Sequence, residues 1–159
     1  MKLPPLPAPL RVLSYLAVRI FMGAVFVYAG YSKLMEPVEN FRGIIAQYQV
    51  IPYVLVPAIA AVMPWMEFVF GLFLIVGYAP RLSALMIAMM SMGFLIILGS
   101  SELLLDSKPM SCGCFGEGGI HLSVHQVFIL DMFDTAFGFL LWRRQDHPFS
   151  IDSLFKRKL

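Results

Sequence analysis

Cys112 and Cys114 stand one residue apart in the stretch CGCFG and are the only two cysteines among 159 residues. Two thiols at this spacing support three chemistries. The first is a reversible disulfide: a ring closed across a single residue is strained, Gly113 removes the side-chain obstacle, and a strained disulfide is the more oxidising kind. The second is a metal site in which Cys112 and Cys114 join His121 and His125. Those histidines lie four residues apart and share a face if the last helix starts that early, although one intervening residue is shorter than the usual zinc pairing of cysteines. The third is a pair of inert fillers, which does not suit two cysteines in a glycine-rich turn. The expected chemistry is the disulfide.

A second group of residues carries charge where charge is expensive. Arg19 and Glu67 fall inside the first two long apolar segments, and Asp131 and Asp134 inside the last. Within a bilayer such groups are paired or functional. Arg19 and Glu67 have opposite signs and are expected to neutralise each other across a bundle. Asp131 and Asp134, three residues apart, share a helix face and either relay protons or bind nothing and face the basic side of the bundle. The sequence has neither a haem-attachment CxxCH nor a nucleotide-binding glycine pattern. The electron acceptor within reach of a membrane thiol pair is then quinone, with Arg19, Glu67 and Asp131 as the residues expected to serve it.

The elements that must position these groups are helices in a membrane. The chain is 59% hydrophobic and 14% charged, and its mean hydropathy is +0.78, well outside the range of soluble domains. A net charge of +2 without basic residues interleaved with aromatics excludes a nucleic-acid partner. Four apolar stretches have about the ~20 residues needed to span the hydrocarbon core, at about 12–32, 54–77, 82–104 and 122–142. The first follows KLPPLPAPLR and is too long for a signal-peptide core, so it is read as a retained helix. Pro64 is expected to kink the second. The methionines of the third read as lipid-facing and packing residues rather than metal ligands.

Basic residues set the expected topology. Lys2, Arg11, Arg81, Arg143, Arg144, Lys156, Arg157 and Lys158 fall on one side, and Lys33, Arg42 and Lys108 on the other. An all-α bundle of four transmembrane helices follows, with both termini cytoplasmic and CGCFG facing the periplasm or exterior, where disulfides persist. In the first outward loop Phe41, Ile44, Ile45 and Tyr48 are spaced as one helix face. This predicts a short amphipathic helix lying flat on the membrane surface or capping the bundle.

These residues together resemble the DoxX/MauE family of small four-helix membrane proteins, in its MauE-like branch. The resemblance is carried by Arg19, Gly23, Phe26, Ala29, Gly30 and Lys33; by Phe41, Ile45, Tyr48 and Pro52; by Pro64, Trp65, Glu67, Gly71 and Gly77; and by Cys112 to Gly116. It implies thiol redox chemistry in a bacterial inner membrane, linked to maturation of the disulfide-rich small subunit of methylamine dehydrogenase or to sulfur oxidation and thiol homeostasis. The resulting expectation is a thiol:quinone oxidoreductase whose partners are the bilayer and an extracytoplasmic thiol protein. Two other classes stay open: a membrane module binding copper or zinc through Cys112, Cys114, His121 and His125, and a structural subunit docked in a larger membrane complex.

Overall fold

The computed structural model describes residues 8–48, 50–105 and 123–143. Cys112, Cys114 and His121 lie outside them. Five helices follow in order: α1 (Ala8–Met35), α2 (Val38–Gln47), α3 (Val56–Val76), α4 (Pro80–Leu105) and α5 (Val124–Arg143). The four long helices fall on the four apolar stretches. Among the described residues three segments, Val12–Met35, Val56–Val76 and Pro80–Ser100, are long and apolar enough to cross a membrane. The chain is a helical membrane protein. The 20-residue α5 carries Asp131 and Asp134 in its middle.

Helices α1 and α3 run antiparallel at very short range because glycines meet backbone. A Cβ on Gly30 would stand 2.6 Å from the Pro64 carbonyl oxygen and 2.6 Å from the Phe68 nitrogen, and one on Gly71 would stand 2.8 Å from the Val27 nitrogen. Small residues let helices pack closely where burial of apolar surface supplies no drive. Pro64 is buried inside α3, which continues through it. The helix ends at Gly77, which adopts the left-handed conformation (φ 78°, ψ 32°) and donates its N–H to the Phe73 carbonyl. A glycine takes that conformation without a steric penalty.

The second antiparallel pair is α4 and α5. A Cβ on Gly138 would lie 2.8 Å from Ala88 Cβ. Near the same end Arg81 Nε donates to the Trp142 carbonyl at 3.4 Å, and towards the other end Leu98 packs with Val127. Helix α5 opens on a reciprocal cap. The Ser123 N–H donates to Gln126 Oε1 at 2.9 Å, and the Gln126 N–H donates to Ser123 Oγ at 3.4 Å. Both otherwise unpaired donors are thereby satisfied. Between the two pairs lies a core of Met22, Phe26, Leu74, Ala84 and Ile87.

The expected amphipathic helix is α2, and Phe41, Ile44, Ile45 and Tyr48 are all buried. Of its two expected placements the bundle cap is the one adopted. Ile44 and Tyr48 pack on Leu98 and Val127, while Phe41 and Ile45 pack on Val56 and Ala60. Its apolar face is turned to the bundle. Helix α2 roofs the end of the bundle at which α4 finishes and α5 begins.

Candidate functional site

Beneath that roof the first feature is an ion pair that the sequence reading did not assign. Lys33 Nζ lies 2.7 Å from each carboxylate oxygen of Glu67, and the two side chains are 0% and 3% exposed. The Lys33 ammonium also stands over the rings of Phe41, at 5.0 Å, and Phe94, at 5.7 Å. Aromatic faces attract a cation, and more strongly when it is desolvated.

This corrects the expected pairing of Arg19 with Glu67. Arg19 is buried two turns or more nearer the other end of α3, where its Nη2 donates to the Ile75 carbonyl at 3.2 Å, and its guanidinium lies 5.9 Å from the Tyr15 ring centre. It also removes Lys33 from the loop charges used to set topology. Helix α1 runs on to Met35, so Lys33 continues the buried stripe of Met22, Phe26 and Ala29. That 4, 3, 4 spacing was the available signal. The expected first helix, about 12–32, stops one residue short of Lys33.

Asp131 and Asp134 both turn inward, at 8% and 2% exposure. Together with Glu67, Phe26, Phe94 and Val127 they line a small cavity of about 30 Å³. The side chains that the sequence placed on separate helices therefore meet, except that Arg19 stays outside the cavity and Lys33 takes its place beside Glu67.

A larger cavity of about 460 Å³ lies between α2, α3 and α4. Tyr48 brings the single polar side chain to its lining; the rest is apolar, including Met63, Met66, Met90 and Gly93. The methionines read as packing residues thus also wall a cavity. The sequence signal was Gly93 among methionines near helical spacing, where a missing side chain leaves space. Phe94 lines both cavities, and Phe41 lines the larger one. The two rings that receive Lys33 are therefore walls of the apolar cavity.

The volume lies in the range of small-molecule sites. It suits an apolar molecule, with Tyr48 as the polar group on the lining and the Lys33–Glu67 pair behind Phe41 and Phe94. Of the four expected metal ligands only His125 lies among the described residues. His125 is exposed on the first turn of α5, and among the described residues no three His, Cys, Asp or Glu side chains come together as ligands.

A family model described as methylamine utilisation protein MauE matches residues 11–143. The chain belongs to the MauE family. The match takes in α2 to α5 whole and all of α1 from Arg11 onward, so both cavities and the ion pair lie inside it. A curated member of the family, methylamine utilization protein MauE from Paracoccus denitrificans, is 31% identical over 102 residues. The alignment takes in 64% of this chain and 54% of that protein, so the chain spans about half the length of its relative. No solved structure matches.

Proposed function

We propose that this MauE-family chain is a membrane thiol–disulfide redox protein that exchanges electrons between an extracytoplasmic thiol protein and membrane quinone. The observation that carries this reading is the apolar cavity of about 460 Å³ under α2, with a buried ion pair behind its aromatic wall. In this reading α5 is the fourth crossing, both termini are cytoplasmic, and the segment holding Cys112 and Cys114 faces the periplasm. Helix α4 ends and α5 begins at the end of the bundle where the cavity lies, and Cys112 and Cys114 fall between those helices in the sequence. The relative is named for methylamine utilization, and in this reading the thiol partner is a disulfide-containing protein of that process.

The chemistry balances without another reactant. A dithiol closing to a disulfide gives up two electrons and two protons, and a quinone becoming a quinol takes up two of each. Once quinone has closed the Cys112–Cys114 disulfide, a thiolate of the partner attacks it to form a mixed disulfide with one cysteine and releases the other as thiolate; the partner's second thiol resolves the mixed disulfide, which leaves the partner oxidised and returns Cys112 and Cys114 to the dithiol. The quinone enters as a substrate from the lipid.

The test is a thiol-trapping titration of the full chain in proteoliposomes. After reduction, decylubiquinone is added and the free thiols are capped with a maleimide of known mass. The expected result is loss of both Cys112 and Cys114 from the maleimide-reactive pool. The variant Gly93→Leu projects a side chain into the larger cavity, where a Cβ meets nothing within 4 Å, and is expected to stop the oxidation while leaving the fold intact. Cysteines that keep one state from strong reductant to excess quinone would refute the proposal.

A further inference from the structure

The small cavity behind Phe94 raises a question separate from the large one. Its lining holds three carboxyl groups, from Glu67, Asp131 and Asp134, in the middle of an apolar bundle. Glu67 is neutralised by Lys33 through both oxygens. Asp134, at 2% exposure, has no ion-pair or hydrogen-bond partner among the described residues. A buried polar group without a partner costs about 1–3 kcal/mol, and far more if it is charged. A sequence that keeps an unpaired carboxyl at such a place is using it or bridging it to water.

The space suits water. A cavity of about 30 Å³ exceeds the roughly 10–15 Å³ that one water requires, and a stable buried water needs two to four polar partners. Three carboxyl groups on α3 and α5 supply them.

The groups facing this centre are few. From α1 comes Lys33, held by Glu67 of α3; Arg19, also on α1, is turned to the Ile75 carbonyl. Helix α4 offers Phe94, which is not titratable, and α5 offers Asp131 beside Asp134. No described cation stands beside Asp134 to fix its charge.

We infer that the cavity between Glu67, Asp131 and Asp134 is a hydrated proton-exchange site in which Asp134 takes up and releases a proton behind the Phe94 wall of the apolar cavity. The inference deepens the quinone reading and takes its purpose from it: a two-electron exchange with quinone moves two protons, and these need a polar group beside an otherwise dry cavity. The cavities share Phe94, and the Lys33–Glu67 pair borders both, since Lys33 lies on the rings of Phe41 and Phe94 and Glu67 lines the smaller space.

The experiment is infrared difference spectroscopy on the full chain in lipid, recorded over the pH range in which the protein stays folded, in H₂O and in D₂O. No quinone is added, so the result does not depend on the redox reading. The expected result is a carboxylic-acid carbonyl band that comes and goes with pH, shifts in D₂O, and is missing from Asp134→Asn. Helical circular dichroism confirms that the variant is folded; if it is not, Asp134→Glu replaces it and must move the band. Absence of any titrating band overturns the inference. So does a band that ignores both substitutions, or one that fails to exchange with deuterium. A titrating Asp134 in a protein whose cysteines ignore quinone would retain the proton site and reject the quinone reading.

Discussion

Lys33 and Glu67 meet through both carboxylate oxygens, each 2.7 Å from the ammonium, and join α1 to α3 at the level where α2 closes over the bundle. Neither charge is exposed to bulk solvent if the other is removed. Cutting one partner from such a pair costs about 3–5 kcal/mol, because the remaining charge stays buried alone. Lys33→Met and Glu67→Leu are each expected to lower stability by about that amount. The double variant is expected to recover most of the loss. Unfolding in detergent of all four proteins, read by circular dichroism, closes the cycle; equal and additive losses would show that the pair is not coupled.

The contact between α1 and α3 makes a second prediction from two glycines of opposite standing. A Cβ on Gly30 meets backbone atoms at 2.6 Å, whereas one on Gly43 in α2 meets nothing within 4 Å. Gly30→Ala must push the helices apart and carry the Lys33–Glu67 geometry with them. It is expected to be destabilising by about 1–3 kcal/mol, as overpacked sites are. Gly43→Ala is expected to stabilise by up to about 1 kcal/mol, since alanine favours the helix. Parallel thermal unfolding of the two variants checks both signs.

Much of this arrangement was legible in the sequence because length, hydropathy and helical spacing are local properties. The four long helices and the buried face Phe41, Ile44, Ile45 and Tyr48 required no tertiary information. The partner of Glu67 did. Arg19 and Lys33 both lie on α1, and the choice between them depends on the antiparallel register set by Gly23, Gly30 and Gly71. Cavities are equally silent in sequence: Gly93 makes space only because α2 and α3 hold their side chains back from it. The inward turn of Asp131 and Asp134 was readable as a shared face, but their meeting with Glu67 was not.

The start of α5 supports a third prediction. Ser123 and Gln126 cap each other's backbone N–H groups, a spacing visible in the sequence as Ser-x-x-Gln. Removing a serine cap costs about 0.5–2 kcal/mol. Ser123→Ala is expected to fall in that range and to fray the first turn of α5, where His125 sits. Amide hydrogen exchange should rise at residues 125–127 and stay unchanged near Asp134. Unchanged exchange at the first turn would mean that the cap does not hold the helix end.

A fourth prediction concerns Ser91 and Thr135, whose hydroxyl oxygens are buried with no hydrogen-bond partner among the described residues. Ser91 is 0% and Thr135 7% exposed. The register that sets Ala88 against Gly138 and Leu98 against Val127 brings Ser91 on α4 to the level of Asp134 on α5. Were these hydroxyls only imperfectly packed, Ser91→Ala and Thr135→Val would each relieve an unsatisfied group and stabilise by about 1 kcal/mol. Were Ser91 instead part of the hydrated centre around Asp134, its loss would take a partner from buried water and lower stability. The absence of Ser91 from the residues lining the small cavity favours the first outcome. Stability of Ser91→Ala alone and in the Asp134→Asn background separates the cases, because only a hydroxyl coupled to Asp134 changes its effect when Asp134 is replaced.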